Sequence, residues 1–506
     1  MIQKGRKSLP GLKEDFDRLR SAKEGEKLIR SKTGYLEKES FTSLENWYRL
    51  SRTSEDVYPT QGLLLTPYDY LDVKSLQLLP QDFLVKTLRL RSFFLELFNH
   101  PYRISFLDKV NKGKFTPPPK VSSPALENAI NDGIALSVGD LGSSVGGAQR
   151  ERISRTERYA AGPFIKLGRQ ARSIYVGSSS PDVWNSAAAI ATMAASHCLA
   201  GVPRNGLTAD PNRQADLARE ALTFLESIAA EVLSKRKDKR KVFNYWRKNI
   251  YGTLEANQEK AIARAKLLHR AGVRTFRVYS PEPGTGTVDT VKKLRKVFGK
   301  EIEIFAGQVI SVDQAKEAVR AGADGIFVGI GGGGRCITGV RSGSVIDWPE
   351  LVWKLRGEIT VPIIVEGGAS DHVAVTLLLG ASGISVSRVV AGGTIESPGG
   401  ALYCVNEKGR LFKPYGGEAS ARTKYLDGKL LPFDIPSFVE GETTMAEMSY
   451  VKFVYPTLTY NLHLRLEDAI LALVFRGVEN PEELHTIDPS PLRRITSSGE
   501  FQRNTH

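Results

Sequence analysis

A glycine-rich segment that ends in a cysteine and a threonine is the part of this sequence best suited to chemistry. Residues 329–338 read GIGGGGRCIT, so that Cys336 and Thr338 follow four consecutive glycines. Glycine adopts positive φ and lets backbone N–H groups approach an anion closely. A cysteine held in such a loop can act as a nucleophile once its thiol ionises. The segment therefore predicts a phosphate-bearing substrate that is attacked by the sulfur of Cys336.

The two other cysteines lack this context. Cys198 lies between alanines and Leu199, which indicates core packing, and the neighbours of Cys404 suggest no catalytic role. Three cysteines far apart in sequence argue against a disulfide framework or a zinc site, and we predict no metal site. The sequence shows neither a secretory signal nor an apolar run long enough to cross a bilayer. We therefore expect a cytoplasmic protein without a membrane partner.

The chain is basic, with a formal charge of +14 over 506 residues, which favours an anionic partner. The densest basic run is residues 235–241, followed by Phe243, Tyr245 and Trp246. One interpretation is a nucleic-acid patch, which would bind RNA or DNA in a salt-sensitive way. The other is a solvated helix end and linker, and we favour it because charge runs are common on surfaces. We do not expect nucleic acid as a partner.

Strands must position the cysteine loop, and the second half of the chain alternates short apolar runs with helical patterns. Strands are predicted at 174–177, 199–202, 249–252, 273–279, 302–306, 325–328, 361–365 and 384–386. Helices are predicted at 84–98, 217–232, 256–271, 312–321 and 372–379. Eight successive strand–helix units favour a closed (β/α)₈ TIM barrel over an open doubly wound sheet. In such a barrel the chemistry lies in the loops that follow the strands.

The predicted organisation has three parts. Residues 1–160 form a mainly helical N-terminal extension of unknown function. Residues 161–490 form the catalytic barrel, with an active-site flap at about 400–445, and residues 491–506 form a disordered tail. The loop after the sixth predicted strand carries Cys336, and glycine-rich loops after the seventh and eighth fit the usual phosphate cradle of this fold.

Several segments, in order and spacing, resemble the IMP dehydrogenase / GMP reductase family. They are residues 178–182 (SSSPD), 201–205 (GVPRN), 304–308 (IFAGQ), 321–324 (AGAD), 336–338 (CIT), 366–368 (EGG), 391–399 (AGGTIESPG) and 415–420 (YGGEAS). The resemblance covers roughly residues 170–485. It implies a purine nucleoside monophosphate as substrate, a nicotinamide cofactor (NAD or NADP) and a homo-oligomer, commonly a tetramer. The sulfur would add to a purine ring carbon, which then exchanges hydride with the nicotinamide.

The resemblance also implies roles for individual residues. Cys336 matches the nucleophile, Thr338 the neighbouring hydroxyl, and Glu396 an acidic residue that handles protons in the reductase branch. The substrate-binding set that it implies is Ser178, Ser179, Gly334, Glu366, Gly367, Gly368, Ser387, Arg388, Tyr415, Gly417 and Glu418. The cofactor-binding set is Ser280, Gln308, Gly329 and Gly331.

The sequence departs from the family pattern at several of these positions. Glu366 replaces the aspartate that grips the ribose, and Gly334 replaces a serine that helps to hold the phosphate. Arg388 replaces a serine after the eighth strand, where its guanidinium can make a bidentate contact with phosphate. Ser280 stands where the family has an aspartate, and Gln308 stands for an asparagine. These changes bear on the cofactor site and on the preferred base.

Two larger differences leave the branch of the family open. The dehydrogenases carry an Arg-Tyr pair on a mobile flap, and the nearest analogue here is Lys424-Tyr425. They also insert a pair of CBS modules after the second strand, where this chain has only the basic linker. A GMP reductase-like or divergent enzyme therefore remains open beside the dehydrogenase. So do a flavin-dependent barrel oxidoreductase, which would not need the Cys336 thiol, and a catalytically silent nucleotide-binding paralogue.

Overall fold

A computed structural model describes most of the second half of the chain and part of the first. The described residues are 81–123, 136–138, 154–178, 180–280, 285–329, 336, 338–367, 372–397, 404–405, 411–420, 423–424, 430–431, 435–436, 439–441, 443–447, 457–495 and 497. Of the predicted site, Ser179, Gly331, Gly334 and Gly368 lie outside these residues, as does Tyr425. Among the described residues, no helix is long and apolar enough to cross a membrane.

The described part of the N-terminal region packs against the barrel instead of standing apart from it. It forms helices α1 (Gln81–Phe98) and α2 (Pro101–Lys112), strand β1 (Leu136–Val138) and helix α3 (Arg155–Ala161). Leu95, Phe98 and Leu107 are buried in the same hydrophobic core as the barrel strands. Asn99 also donates to the carbonyl of Ala195 at 2.9 Å. The division predicted at residue 160 therefore does not separate these helices from the barrel core.

A hairpin precedes the barrel and closes its amino-terminal end. Strands β2 (Phe164–Leu167) and β3 (Gln170–Ser173) pair antiparallel. Arg172, on β3, is fully buried and bonds to residues at the starts of two barrel strands. Its partners are Asn249 and the carbonyl of Lys248 before one strand, and Glu303 at the start of the other. A buried guanidinium needs such partners, because its charge loses water on folding.

Eight parallel strands form the barrel. They are β4 (Tyr175–Gly177), β5 (Ala200–Val202), β6 (Ile250–Glu255), β7 (Thr275–Tyr279), β8 (Glu303–Val309), β9 (Gly325–Val328), β10 (Ile363–Val365) and β11 (Gly383–Val386). From β5 to β11 each strand pairs in parallel with the next, and β11 pairs in parallel with β4. A parallel bridge between Val176 and Leu199 closes the ring, with Gly177 N donating to Leu199 O at 2.7 Å. The prediction of a (β/α)₈ barrel with these eight strands is confirmed.

Helices surround the strands. They are α4 (Pro181–Trp184), α5 (Ala187–Ala195), α6 (Pro211–Val232), α7 (Lys239–Lys248), α8 (Gln258–Arg270), α9 (Gly286–Phe298), α10 (Val312–Arg320), α11 (Thr338–Ser342), α12 (Trp348–Leu355), α13 (Val373–Leu379) and α14 (Arg388–Ala391). The basic run enters α7. There Lys241 pairs with Asp108 of α2, and Arg236 pairs with Asp238 at 2.7 Å. Most other basic residues of the run are exposed, as a solvated helix end requires.

The remaining elements form the flap and the end of the chain. Strands β12 (Cys404–Val405), β13 (Leu411–Gly416), β14 (Leu430–Leu431), β15 (Ile435–Pro436) and β16 (Thr443–Glu447) lie within the predicted flap. They are followed by helices α15 (Leu458–Arg476) and α16 (Pro481–His485) and by strand β17 (Leu492–Arg494). Strand β17 pairs antiparallel with β1. The prediction of disorder from residue 491 is therefore wrong for this strand, which buries Leu492.

Candidate active site

Cys336 and Thr338 lie side by side beyond the carboxyl end of β9. The Cys336 thiol donates to the Thr338 hydroxyl with Sγ and Oγ1 3.1 Å apart, and Thr338 is the first residue of α11. Cys336 is only partly buried. Cys198, in contrast, is fully buried, and burial raises the pKa of its thiol to about 12. Of these two thiols, only that of Cys336 is open to a ligand at the end of the barrel where the chemistry is expected.

The loops that follow β9 and β10 touch each other, and glycine permits the contact. Gly329 has a φ of +116°, and a Cβ at this position would overlap the carbonyl oxygen of Glu366. Glu366 N donates to Val328 O at 2.8 Å, which holds the two strand ends in register. The start of the cysteine loop is thus fixed against Glu366. Gly367, the next residue, also has a positive φ of +88°.

Glu366 is held by a buried arginine that the sequence reading did not single out. Arg277, on β7, makes a bidentate contact, with Nη1 3.1 Å from Oε1 and Nη2 2.5 Å from Oε2. Gln308, at the end of β8, donates its amide to Oε2 as well. Ser385 Oγ lies 3.5 Å from Oε1. The predicted ribose-binding carboxylate and the predicted cofactor residue Gln308 therefore meet inside the barrel.

Arg277 stays charged although it is completely buried. Burial alone would lower its pKa, but the facing Glu366 carboxylate raises the pKa above the usual range. Its guanidinium lies 4.0 Å from the ring centroid of Phe327 and 4.8 Å from that of Tyr279. Aromatic faces stabilise a cation in this position. An arginine inside the strand Thr275–Tyr279 was the available signal, since a buried cation needs an acidic partner.

The predicted phosphate residues of the first and last barrel strands are adjacent. Ser178 Oγ and Ser387 Oγ are 2.5 Å apart, and Trp184 Nε1 donates to Ser387 Oγ at 3.0 Å. Ser178 N also donates to Val386 O at 3.1 Å. Arg388 follows directly as the first residue of α14 and is partly exposed. Two hydroxyls thus meet at one corner of the barrel mouth, and Arg388 follows the second of them in the chain.

The flap lies over this corner and reaches the cysteine. Tyr415, on β13, is buried, and Gly416 O accepts from Ser180 Oγ at 3.3 Å. A second segment of the predicted flap, residues 439–441, contacts both the cysteine loop and the segment that follows β13. Gly441 forms backbone bridges to Cys336 and to Ser420. The predicted flap therefore contacts both Cys336 and the loop that follows β4.

Glu418 contacts two residues of the loop after β5. It accepts a hydrogen bond from Asn205, and Arg204 Nη2 lies 3.5 Å from its Oε1. The Arg204 guanidinium in turn lies 5.2 Å from the ring centroid of Tyr279. Gly417, beside it, has open space where a Cβ would stand. The two residues predicted to line the purine thus occupy the rim between the flap and strands β5 and β7.

Ser280 lies immediately after β7, as the sequence predicts. Its backbone N donates to Gly307 O, and its carbonyl accepts from Gln308 N, both at 3.0 Å. The neighbouring Tyr279 ring lies between Arg204 and Arg277, and burial raises the pKa of its hydroxyl. Ser280 and Gln308 are thus adjacent through the backbone, while the Gln308 side chain faces Glu366.

Glu396 is held away from solvent by partners in a distant helix. Its Oε1 accepts from Thr457 Oγ1 at 2.6 Å, and its Oε2 accepts from Leu458 N, the first residue of α15, at 3.0 Å. Arg91 of α1 lies 3.5 Å from the carboxylate. A carboxylate at a helix N-terminus satisfies free N–H groups there. These contacts give Glu396 a structural task, and they disfavour the predicted role in proton transfer.

Comparisons with known proteins agree with the motifs. Residues 219–446 match the family model described as "IMP dehydrogenase / GMP reductase domain". The inosine-5'-monophosphate dehydrogenase of Nitrosopumilus maritimus is 36% identical over 138 residues, which is 26% of this chain and 28% of the relative. The inosine-5'-monophosphate dehydrogenase of Aquifex aeolicus is 30% identical over 206 residues, which is 38% of this chain and 40% of the relative. Inosine-5'-monophosphate dehydrogenase 1 of Arabidopsis thaliana is 30% identical over 188 residues, or 36% of each chain.

The matched regions span only part of these relatives. At most 40% of their length is covered, and the matched segment of this chain lies within the barrel and flap.

Proposed function

We propose that this chain, whose barrel carries the IMP dehydrogenase / GMP reductase domain that its motifs predict, is a purine nucleotide oxidoreductase of that type. The substrate is a purine nucleoside monophosphate, and the redox partner is NAD or NADP. The observation that carries the proposal is the partly exposed Cys336 thiol, 3.1 Å from the Thr338 hydroxyl at the carboxyl end of β9.

In the proposed reaction Cys336 is the nucleophile that forms the covalent adduct. The thiolate adds to the electrophilic carbon of the purine ring, which divides one difficult step into two easier ones. The thiol proton leaves to solvent before the thiolate adds, and Thr338 Oγ1, which accepts the thiol hydrogen bond, is placed to orient the sulfur and to donate a hydrogen bond to it when it leaves the ring carbon. Gly441, bridged to Cys336, keeps the flap segment beside the sulfur. In the dehydrogenase direction the oxidised adduct is released when water adds to the ring carbon and the Cys336 sulfur leaves.

Binding energy for the substrate comes from groups around the rim. The Ser178 and Ser387 hydroxyls, 2.5 Å apart, and the nearby Arg388 are proposed to hold the phosphate. Glu366 is proposed to accept from the ribose, and Gly417 and Glu418 to line the base. These contacts lie away from the reacting carbon and therefore orient the ring against the sulfur.

The cofactor is proposed to bind beside the loop after β7. Arg204 Nε is buried without a partner among the described residues, and its guanidinium covers one face of the Tyr279 ring. A cationic group with an unused donor fits a dinucleotide, which carries anionic phosphates. When bound, the nicotinamide exchanges a hydride with the purine carbon that carries the sulfur. Ser280 and Gly329 are the residues proposed to border it.

The test is turnover by the purified full-length chain. IMP with NAD or NADP, and GMP with NADPH or NADH, are followed by nicotinamide absorbance. We expect turnover in one direction, and we expect Cys336→Ala to abolish it while nucleotide binding, measured by calorimetry, is retained. Mass spectrometry of an acid-quenched reaction should find a nucleotide adduct on the peptide containing Cys336.

Cys198→Ala serves as the matched control, because that thiol is buried and its pKa is raised to about 12. This variant should keep turnover. The proposal fails if the wild type turns over no purine nucleotide, or if Cys336→Ala remains active. A flavin spectrum in the purified protein would select a flavin-dependent oxidoreductase instead.

A further inference from the structure

The Glu366 carboxylate has most of its hydrogen-bonding capacity occupied by the protein. An ionised carboxylate offers about four acceptor positions, two on each oxygen. Arg277 takes one position on each oxygen, and Gln308 takes the second position on Oε2. One position, on Oε1, remains. Ser385 Oγ stands near it at 3.5 Å, a distance too long for a good hydrogen bond.

The exposed member of the pair is the carboxylate. The Glu366 side chain is 22% exposed, whereas that of Arg277 is 2% exposed and lies beneath it. A ligand that enters the barrel mouth therefore meets the carboxylate and not the guanidinium. Gly329 brings the start of the cysteine loop against the Glu366 backbone, so Glu366 lies beside the loop that leads to Cys336.

We infer that Glu366 accepts a hydrogen bond from only one of the two ribose hydroxyls of the nucleotide, so that the chain tolerates the nucleotide lacking the other hydroxyl. The inference rests on the proposed function. Its structural basis is the occupation of the other three acceptor positions by Arg277 and Gln308. A carboxylate free of such partners would accept from both hydroxyls of the diol and would discriminate against both deoxy analogues.

Arg277 acts here as a positioning residue. The Phe327 and Tyr279 rings fix its guanidinium, and its two N–H groups fix the plane of the carboxylate. Gln308 closes the remaining position on Oε2. Removing either donor returns an acceptor position to Glu366. Such a change should alter which sugars are distinguished, and a merely structural residue would not do so.

The experiment compares the affinity of wild-type protein for IMP, 2'-deoxy-IMP and 3'-deoxy-IMP by calorimetry. A hydrogen bond to a charged group contributes about 1.5–3 kcal/mol, or roughly 10- to 150-fold in Kd. We expect one analogue to bind within about 3-fold of IMP and the other to bind at least about 10-fold more weakly. Equal weakening of both analogues, or of neither, would overturn the inference and leave the proposed function standing.

Two variants sharpen the result. Gln308→Leu frees one acceptor position without breaking the ion pair, and Arg277→Met frees two. In Gln308→Leu we expect the analogue tolerated by the wild type to become weaker than IMP by about 10-fold. Arg277→Lys, which retains one donor and the charge, should keep the wild-type pattern more closely than Arg277→Met.

Circular dichroism establishes whether each variant is folded. If Arg277→Met does not fold, the sugar preference of Gln308→Leu alone tests the inference. An unchanged sugar preference in a folded Gln308→Leu protein contradicts the inference. If wild-type protein binds no IMP at all, the proposed function falls and takes this inference with it.

Discussion

Arg172 and Glu303 form a fully paired ion pair at the end of the barrel opposite to Cys336. Arg172 Nη1 lies 2.9 Å from Glu303 Oε1, and Nη2 lies 2.6 Å from Oε2. Thr275 adds a hydroxyl donor to the carboxylate at 3.1 Å. The Arg277–Glu366 pair repeats this geometry near the other end. One arginine therefore joins the β2–β3 hairpin to the barrel, while the other shapes the proposed substrate cavity.

Arg172→Met should destabilise the fold strongly. It leaves Glu303 buried with an uncompensated charge, and breaking a buried pair in this way costs about 3–5 kcal/mol. Denaturant unfolding measures the loss. Lys354→Met breaks the exposed pair of Lys354 with Glu350, four residues apart in α12, and should change the free energy of unfolding by less than about 0.5 kcal/mol. Similar losses in the two variants would show that the Arg172 pair is not a structural anchor.

The free energy of unfolding should fall as the pH drops from about 6.5 to about 4, partly through His485. Burial lowers the pKa of His485 to about 4, so the neutral ring is favoured in the fold. Its Nε2 lies 2.8 Å from Ala381 O, to which it donates. As the pH falls, His485 takes up a proton in the unfolded chain before it does so in the fold. The stabilisation is therefore complete above about pH 6.5 and is lost as the pH falls to about 4, the pKa in the fold. A shift of this size corresponds to about 3 kcal/mol.

His485→Gln checks this assignment, since glutamine can donate to Ala381 O but does not titrate. The variant should lose stability less steeply between pH 6.5 and 4 than the wild type. His197, whose pKa burial lowers to about 3, keeps part of the slope in both proteins. Parallel pH profiles for wild type and variant would contradict the assignment to His485.

Gly329→Ala should disrupt the site. The new Cβ would overlap Glu366 O, and the φ of +116° is unfavourable for alanine. We expect a loss of nucleotide affinity of at least about 10-fold, measured by calorimetry. Gly299→Ala is the control, because its φ of +56° is also positive but nothing lies within 4 Å of a Cβ there, at the end of α9 and outside the proposed site. Equal affinities for the two variants would mean that the contact between the loops does not shape the site.

The strands could be predicted from sequence, but the pairs between them could not. Apolar runs such as 325–328, followed at once by glycines, carry the strand signal locally, and all eight were found within a few residues of their observed bounds. Arg277 and Glu366 lie 89 positions apart, and only the register of the closed barrel brings them together. The partners of Glu396 could not be predicted for the same reason, because Thr457 and Leu458 lie about 60 positions further along the chain. Strand β17 depends equally on a distant partner, β1.

Glu396→Gln and Thr338→Val should separate a structural carboxylate from a catalytic hydroxyl. The glutamine keeps one acceptor for Thr457 or for Leu458 N, but it loses the charge at the start of α15 and the attraction to Arg91. A charge at a helix N-terminus contributes about 0.3–2 kcal/mol, so the free energy of unfolding should fall by that amount, while turnover per folded molecule and its pH profile stay close to wild type.

Thr338→Val removes the acceptor of the Cys336 thiol hydrogen bond from a partly exposed position. It should leave the melting temperature nearly unchanged and reduce kcat by about 100-fold or more, the size of a general acid–base contribution. A Glu396→Gln protein that is as stable as wild type yet inactive would support a role in proton transfer and contradict the structural role at the start of α15.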